Sequence, residues 1–190
     1  MIATLRLAAP LALCCLVALF QPARADINLL PDRANSTVVA VLNNDIEKLR
    51  YLLTRGVNPN MTDADGRTAL IHAATAGNVP AVKLLLDAGA KATVLDKTGN
   101  TAMHYAVERG NTEVLRMMLD AKAPPDLPNR QGATPLMVAA GRGRADIAGL
   151  LLERGADVNK QDYTGHDALS WAQDHRQNAI VPILRKAGAK

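Results

Sequence analysis

The chain has 190 residues, 48% of them hydrophobic but only 3% aromatic, and a formal net charge of +4. That is one domain's worth of sequence, long enough to bury a core, but so few rings suit an array of Ala- and Leu-rich helices better than a compact globule. A small net charge with no run of Lys and Arg gives no footing to a nucleic-acid-binding protein.

Residues 1–25 stand apart from the rest. Arg6 supplies a positive start, Leu7 through Phe20 an apolar run, and Ala23-Arg24-Ala25 a small-x-small cleavage site, the three parts of a secretory signal peptide. The run contains Pro10 and is shorter than the roughly 20 residues of a membrane-spanning helix. Leu13 precedes Cys14, where a lipid-modification site wants a small residue. The expectation is cleavage after Ala25 and delivery to the periplasm or the exterior, with no membrane contact afterwards; a bacterial setting follows from the short leader. Cleavage removes both cysteines, leaving nothing to mispair in an oxidising compartment. It also removes Arg6 and Arg24, which lowers the net charge to about +2.

Asp26 to Asn35 reads as a short lead-in ending at Pro31-Asp32, and helices are predicted at Ser36–Leu42 and Ile46–Arg55, the second closed by Gly56. From here the chain repeats itself. Gly66, Gly99, Gly132 and Gly165 are each 33 residues apart. So are Gly77, Gly110 and Gly143, and so is the comb Gly56, Gly89, Gly155 and Gly188, in which Lys122 fills the missing tooth. Three combs in one register define a structural repeat.

Each copy reads as turn, helix, turn, helix. The first glycine ends a tight turn with left-handed backbone. Thr68, Thr101 and Thr134 follow as helix starts whose hydroxyls accept from first-turn N–H groups, and Pro135 takes the next position, where its missing N–H costs nothing. A short helix runs to about Ala76, Arg109, Arg142 and His175, with small inner residues such as Ala73-Ala74, Ala106, Ala139-Ala140 and Ala172. The second helix carries Val82 and Leu84-Leu85-Leu86 in one copy, Ile147 and Leu150-Leu151-Leu152 in another, and ends in a left-handed cap. No copy can bury its apolar side alone, so the copies must stack. The predicted fold is an all-α solenoid of helix-turn-helix units joined by β-turn loops. It has about five units: an N-terminal cap over 26–62, copies at 63–95, 96–128 and 129–161, and a C-terminal cap over 162–190.

Three places depart from the pattern. The N-terminal cap lacks the opening turn, with Asn35 where Thr68 would be and Asn44-Asp45 in place of Gly77-Asn78. Lys122-Ala123-Pro124-Pro125-Asp126 replaces a glycine-led ending. A Lys in a left-handed cap costs about 1 kcal/mol relative to Gly, and the prolines are expected to force an extended exit and to disturb the seam with the following copy; functional kink and neutral drift both fit. Asp174-His175-Arg176-Gln177-Asn178 gives the last copy a polar central turn, and Pro182 is expected to delay or kink its second helix.

The motifs resemble the ankyrin repeat. They are the starts Thr68-Ala69-Leu70 and Thr134-Pro135-Leu136, the turn from Ala73-Ala74 to Gly77-Asn78, and the ending Leu150-Leu151-Leu152-Glu153-Arg154-Gly155-Ala156-Asp157-Val158-Asn159. The resemblance covers roughly residues 35 to 190. The family's helix-start histidine, which orients turn backbone, appears only as His104; Ile71, Met137 and Ser170 stand at the equivalent places.

Chemistry finds little support. His72 and His104 lie in first helices but at different phases. His166 and His175, beside Asp174, are the better pair, yet zinc needs three or four ligands within about 2.0–2.3 Å. There is no phosphate-binding glycine loop, no Ser-His-Asp set, and no cysteine nucleophile after cleavage. The reading is a non-catalytic protein with no metal and no cofactor.

In ankyrin proteins the partner lies across the turn tips and the inner helix face. The resemblance therefore implies a partner-binding set. At the tips it comprises Asp65 and Arg67, Lys97 and Asn100, Arg130 and Gln131, and Tyr163 and His166; at the helix ends it adds Glu108, Arg109, Arg142 and, beside Asp174, His175. Lys97 through Arg142 is mainly basic and Tyr163 is a lone aromatic anchor, and Arg and Tyr often dominate interface energies. The expected partner of this monomer is another protein with an acidic contact surface, held on a concave face. Some periplasmic ankyrin proteins resemble partners of oxidative-stress enzymes, others immunity proteins that neutralise a toxin, and these residues do not choose between them. Two other classes remain: an envelope structural protein anchored by residues 7–20, and a metal-dependent enzyme using His166 and His175.

Overall fold

The computed structural model describes residues 36–189. The predicted leader and lead-in, and Lys190, lie outside the described residues. Among the described residues, ten helices make five pairs: α1 (Ser36–Leu42) with α2 (Ile46–Thr54), α3 (Ala69–Ala76) with α4 (Val79–Asp87), α5 (Ala102–Arg109) with α6 (Thr112–Asp120), α7 (Pro135–Gly141) with α8 (Ala145–Glu153), and α9 (Ala168–Asp174) with α10 (Val181–Lys186). There is no strand among the described residues, only an isolated bridge between Thr62 and Thr68. None of the helices is long and apolar enough to cross a membrane.

Helix starts follow their caps. Thr68 Oγ1 accepts from Ile71 N at 3.3 Å and Thr134 Oγ1 from Met137 N at 3.4 Å. In the last copy Asp167 takes the threonine's place and accepts from Ser170 N at 2.8 Å. Every left-handed position among the described residues falls on one of the three combs. Asn44 (φ 53°), Lys122 (φ 64°) and Arg176 (φ 57°) fill the teeth that lack glycine. The copies around them impose the turn even where the side chain resists it. Pro182 sits in the first turn of α10, whose start at Val181 is nearly a full turn late in the register set by α8 at Ala145.

The first helices pack on one another in chain order, and so do the second helices. Ala73, Ala74, Ala106, Ala139, Ala140 and Ala172 are fully buried; with only Cβ between them, the first helices approach closely. The second helices contribute the bulk, through Leu85, Leu115, Met118, Ile147 and Leu151, all fully buried. Each such side chain contributes about 1.5–3 kcal/mol on leaving water.

His104 holds α5 to the next copy. Its Nδ1 accepts from Thr101 N at 3.3 Å and lies 2.8 Å from Thr101 Oγ1, while Nε2 faces Ala133 O at 3.1 Å. The carbonyl can only accept, so Nε2 carries the proton and the ring is neutral. Burial pushes its pKa below the ordinary 6.5, against the pull of the Ala133 carbonyl and Asp96. The folded ring therefore binds a proton less readily than the unfolded one. Stability should fall as pH drops below 6.5, by at most about 1.4 kcal/mol per pH unit from this group. Urea titrations between pH 7.5 and 5 should show a shallower slope in His104→Gln than in the native chain.

The irregular seam differs from expectation. Lys122 keeps the regular cap: Lys122 N donates to Leu119 O and Ala123 N to Met118 O, as Gly89 N does to Leu86 O and Ala90 N to Leu85 O. The exit also follows the usual turn at 125–126, as at 92–93. The seam with the following copy is intact, because Asp126 Oδ1 and Oδ2 both accept from Asp157 N at 3.1 Å, just as Asn60 Oδ1 accepts from Lys91 N at 2.7 Å. The equivalent brace is missing toward the preceding copy. There the residue facing Thr93 is Pro124, which has no N–H to give.

Candidate functional site

A fourth comb, which the glycine register passes over, builds the turn tips. Asp63, Asp96, Asn129 and Asp162 recur at the same 33-residue interval. One side-chain oxygen of each accepts two backbone N–H groups at 2.8–3.0 Å: from Asp65 and Arg67, from Thr98 and Asn100, from Gln131 and Ala133, and from Thr164 and His166. Each tip is thus stapled into one shape by its own first residue.

The second oxygen reaches the first helix. Asp63 Oδ2 lies 2.7 Å from His72 Nε2; Asp96 Oδ2 accepts from Tyr105 Oη at 2.6 Å and Arg67 Nε at 3.2 Å; Asp162 Oδ2 accepts from Trp171 Nε1 at 2.9 Å. His72, Tyr105 and Trp171 are themselves in repeat register, and the fourth member is Val138. Val138 follows Asn129, whose amide donates instead to Asn100 Oδ1 at 3.0 Å. Where the comb carries a carboxylate, a ring with a polar hydrogen stands over it; where it carries an amide, an aliphatic residue suffices. Burial would push these carboxyls up, but the hydrogen bonds outweigh it. Those from Thr98, Tyr105, Asn100 and Arg67 bring Asp96 down to about 2. Those from Thr164, Trp171 and His166 lower Asp162, and those from His72, Arg67 and Asp65 lower Asp63.

Neighbouring tips are zipped together. Lys97 N donates to Asp65 O at 2.9 Å and Tyr163 N to Gln131 O at 3.1 Å, and Arg130 Nη1 reaches Lys97 O at 2.5 Å. The stacking is so close that a Cβ on Gly99 would lie 2.2 Å from Arg130 Cβ, and one on Gly132 would lie 2.8 Å from the Tyr163 ring.

This geometry divides the predicted set. Arg67 and Asn100 are only half exposed. Arg67 spans Asp96 and Tyr105, with its guanidinium 5.3 Å from the centre of the Tyr105 ring, and Asn100 belongs to the tip ladder. Both hold the scaffold. Glu108 and Arg142 pair with each other across adjacent copies, which cancels their charges. Asp65, Lys97, Arg109, Arg130, Gln131, Tyr163, His166 and His175 are exposed, and Lys97, Arg109 and Arg130 face no acid among the described residues. Tyr163 is 77% exposed, with its ring against Gly132 and its backbone tied to Gln131.

Trp171 is a residue that sequence reasoning missed. It stacks on His175, ring centres 5.6 Å apart, and lies over Gly141, where a Cβ would meet it at 3.0 Å. As the lone tryptophan of the chain, in register with Tyr105 and His72, it was detectable. The proposed His pair does not converge: His166 sits 3.9 Å from Asp174, while His175 turns to Trp171, its Nδ1 2.9 Å from Trp171 O. No three His, Cys, Asp or Glu side chains among the described residues are grouped to hold a metal. The arrangement offers a rigid row of tips, free cations in its middle and aromatic rings toward its C-terminal end.

A family model for ankyrin repeats, in three copies, matches residues 37–129 and 121–190. No curated protein matches the chain.

Proposed function

The chain belongs to the ankyrin-repeat family, whose repeats are protein–protein interaction modules, and from that premise we propose that it is a non-catalytic, monomeric binder of one partner protein with an acidic contact surface. The observation that carries this reading is the row of stapled tips that hold Lys97 and Arg130 exposed without acidic partners, with Arg109 likewise exposed at the end of α5. Preorganised tips lose little freedom on binding, and unpaired cations steer an acidic partner and fix its register. Tyr163, exposed on its tip, supplies an aromatic anchor. We place this binding in the bacterial periplasm, because residues 1–25 carry the parts of a secretory leader and hold both cysteines.

The test is capture from a periplasmic extract of the source organism, with the chain from Asp26 as bait. The variant Lys97→Glu/Arg109→Glu/Arg130→Glu is expected to lose the captured protein, or to bind it at least tenfold more weakly. Its melting temperature should stay within about 4 °C of the native value, since exposed charges contribute little to stability and only the Arg130 hydrogen bond to Lys97 O is lost. Native capture should weaken as salt is raised through the range where the Debye length shrinks from about 10 Å to about 3 Å. Capture that survives the triple variant would overturn the proposal.

A further inference from the structure

We propose that the seam around Lys122, on the loops that follow the second helices, is a second docking site that takes an extended peptide segment carrying apolar side chains flanked by carboxylates. Three observations converge there. Lys122 holds a left-handed backbone (φ 64°) where Gly56, Gly89, Gly155 and Gly188 stand in the other copies, a conformation L side chains avoid and one that marks functional positions when the surroundings enforce it. The inter-copy brace made by Asn60 and by Asp126 is absent between Thr93 and Pro124, so these loops are not tied together. A cleft of about 310 Å³ opens at that gap, between Lys91 and Pro124, and two more flank it: one of about 460 Å³ against Lys122, Pro125 and Arg154, toward the following copy, and one of about 290 Å³ over Leu86 and Met117.

The clefts adjoin at Asp120-Ala121-Lys122, so they run as one shallow track across the ends of α4 and α6 to the end of α8. A track of this form suits an extended chain. Its floor is partly apolar, through Leu86, Met117, Leu119 and Ala123. Its acids are already engaged: Asp87 by Lys83 at 3.3 Å and Asp120 by Arg154 at 2.7 Å. Lys91 and Lys122 are exposed and face no acid among the described residues, so the surplus charge selects carboxylates. Two free cations over an apolar floor are too few for the counterion release that drives nucleic-acid binding.

The probe is a short fluorescein-labelled peptide alternating leucine with aspartate and glutamate, followed by anisotropy and by amide shifts in the full chain. Saturable binding is expected, with shifts at Lys91, Met117 and Lys122. Lys91→Glu/Lys122→Glu should weaken it more than tenfold, and Lys97→Glu/Arg109→Glu/Arg130→Glu should leave it unchanged. Lys122→Gly should weaken the peptide about threefold to tenfold while raising the melting temperature by about 2–4 °C, because it relieves the strained turn. Equal binding of a lysine-substituted peptide, binding unaffected by the Lys91/Lys122 variant, no binding at millimolar peptide, or a lower melting temperature in Lys122→Gly would each overturn the proposal.

Discussion

Replacing Asp96 with alanine is expected to destabilise the chain by about 3 kcal/mol, because it removes the acceptor of five hydrogen bonds and leaves groups without partners at a nearly closed site. The Asp96 side chain is 1% exposed, so water cannot take over its role. The melting temperature should fall by roughly 6–12 °C. Asp96→Asn keeps the oxygen that accepts from Thr98 N and Asn100 N, as Asn129 does in the next copy, but loses the charge facing Arg67 and Tyr105. It should cost about half as much.

The same carboxylate sets an acid limit. Its folded pKa of about 2 lies below the ordinary 3.8, so the fold holds this proton less tightly than the unfolded chain does. Its stabilising contribution is complete above pH 3.8 and disappears as pH falls through about 2. Denaturant titrations at pH 5, 3.5 and 2.5 should show the native chain losing stability faster than Asp96→Asn. Equal slopes would remove Asp96 from the account of the tips.

The second large effect separates two glycines that look alike in the sequence. Gly89 (φ +80°) and Gly99 (φ +82°) are both left-handed, but a Cβ on Gly89 would meet nothing within 4 Å. Gly89→Ala should therefore cost only the backbone penalty, about 1 kcal/mol, a burden that Lys122 already bears on the same comb. A Cβ on Gly99 would lie 2.2 Å from Arg130 Cβ and 2.8 Å from Arg130 N. Neither atom can move unless the next copy shifts. Gly99→Ala should cost about 3 kcal/mol once overpacking is added, and displacing Arg130 should weaken the captured partner as well. Thermal melts of the two variants side by side decide the matter. Equal losses would mean that the tips can spread apart without cost.

The helices were legible because their signals are local. Apolar spacing, a capping Thr and a closing Gly all act within a turn or two, and the bounds of α3 and α5 follow from them. Part of the candidate site was legible in the same way, since tips and helix ends occupy known phases of the repeat. The staple comb was missed although its period is plain: an Asp near a turn reads as an ordinary turn residue. Its value depends on Tyr105 or Trp171 folding back over it. The pairing of Asp with a ring and of Asn129 with Val138 has meaning only once those positions are seen to touch. The seam was misjudged for a related reason. Pro124 and Pro125 suggested trouble in their own turn and beyond it, whereas the change lies on the side of Thr93, in the copy before.

By itself, the sequence determined the repeat, its period, the left-handed positions that carry glycine and the approximate helix ends, because each rests on bonds between residues a few places apart. Tertiary structure alone decided which charges remain available. Arg67 is held by Asp96 and Arg142 pairs with Glu108, while Lys97, Arg109 and Arg130 find no acid among the described residues. The partners of Arg67 and Arg142 come from a neighbouring copy about 30 residues away in the chain. Which side chains meet across such a gap is set by the rise and rotation between stacked copies, and those emerge from the packing of all the helices together.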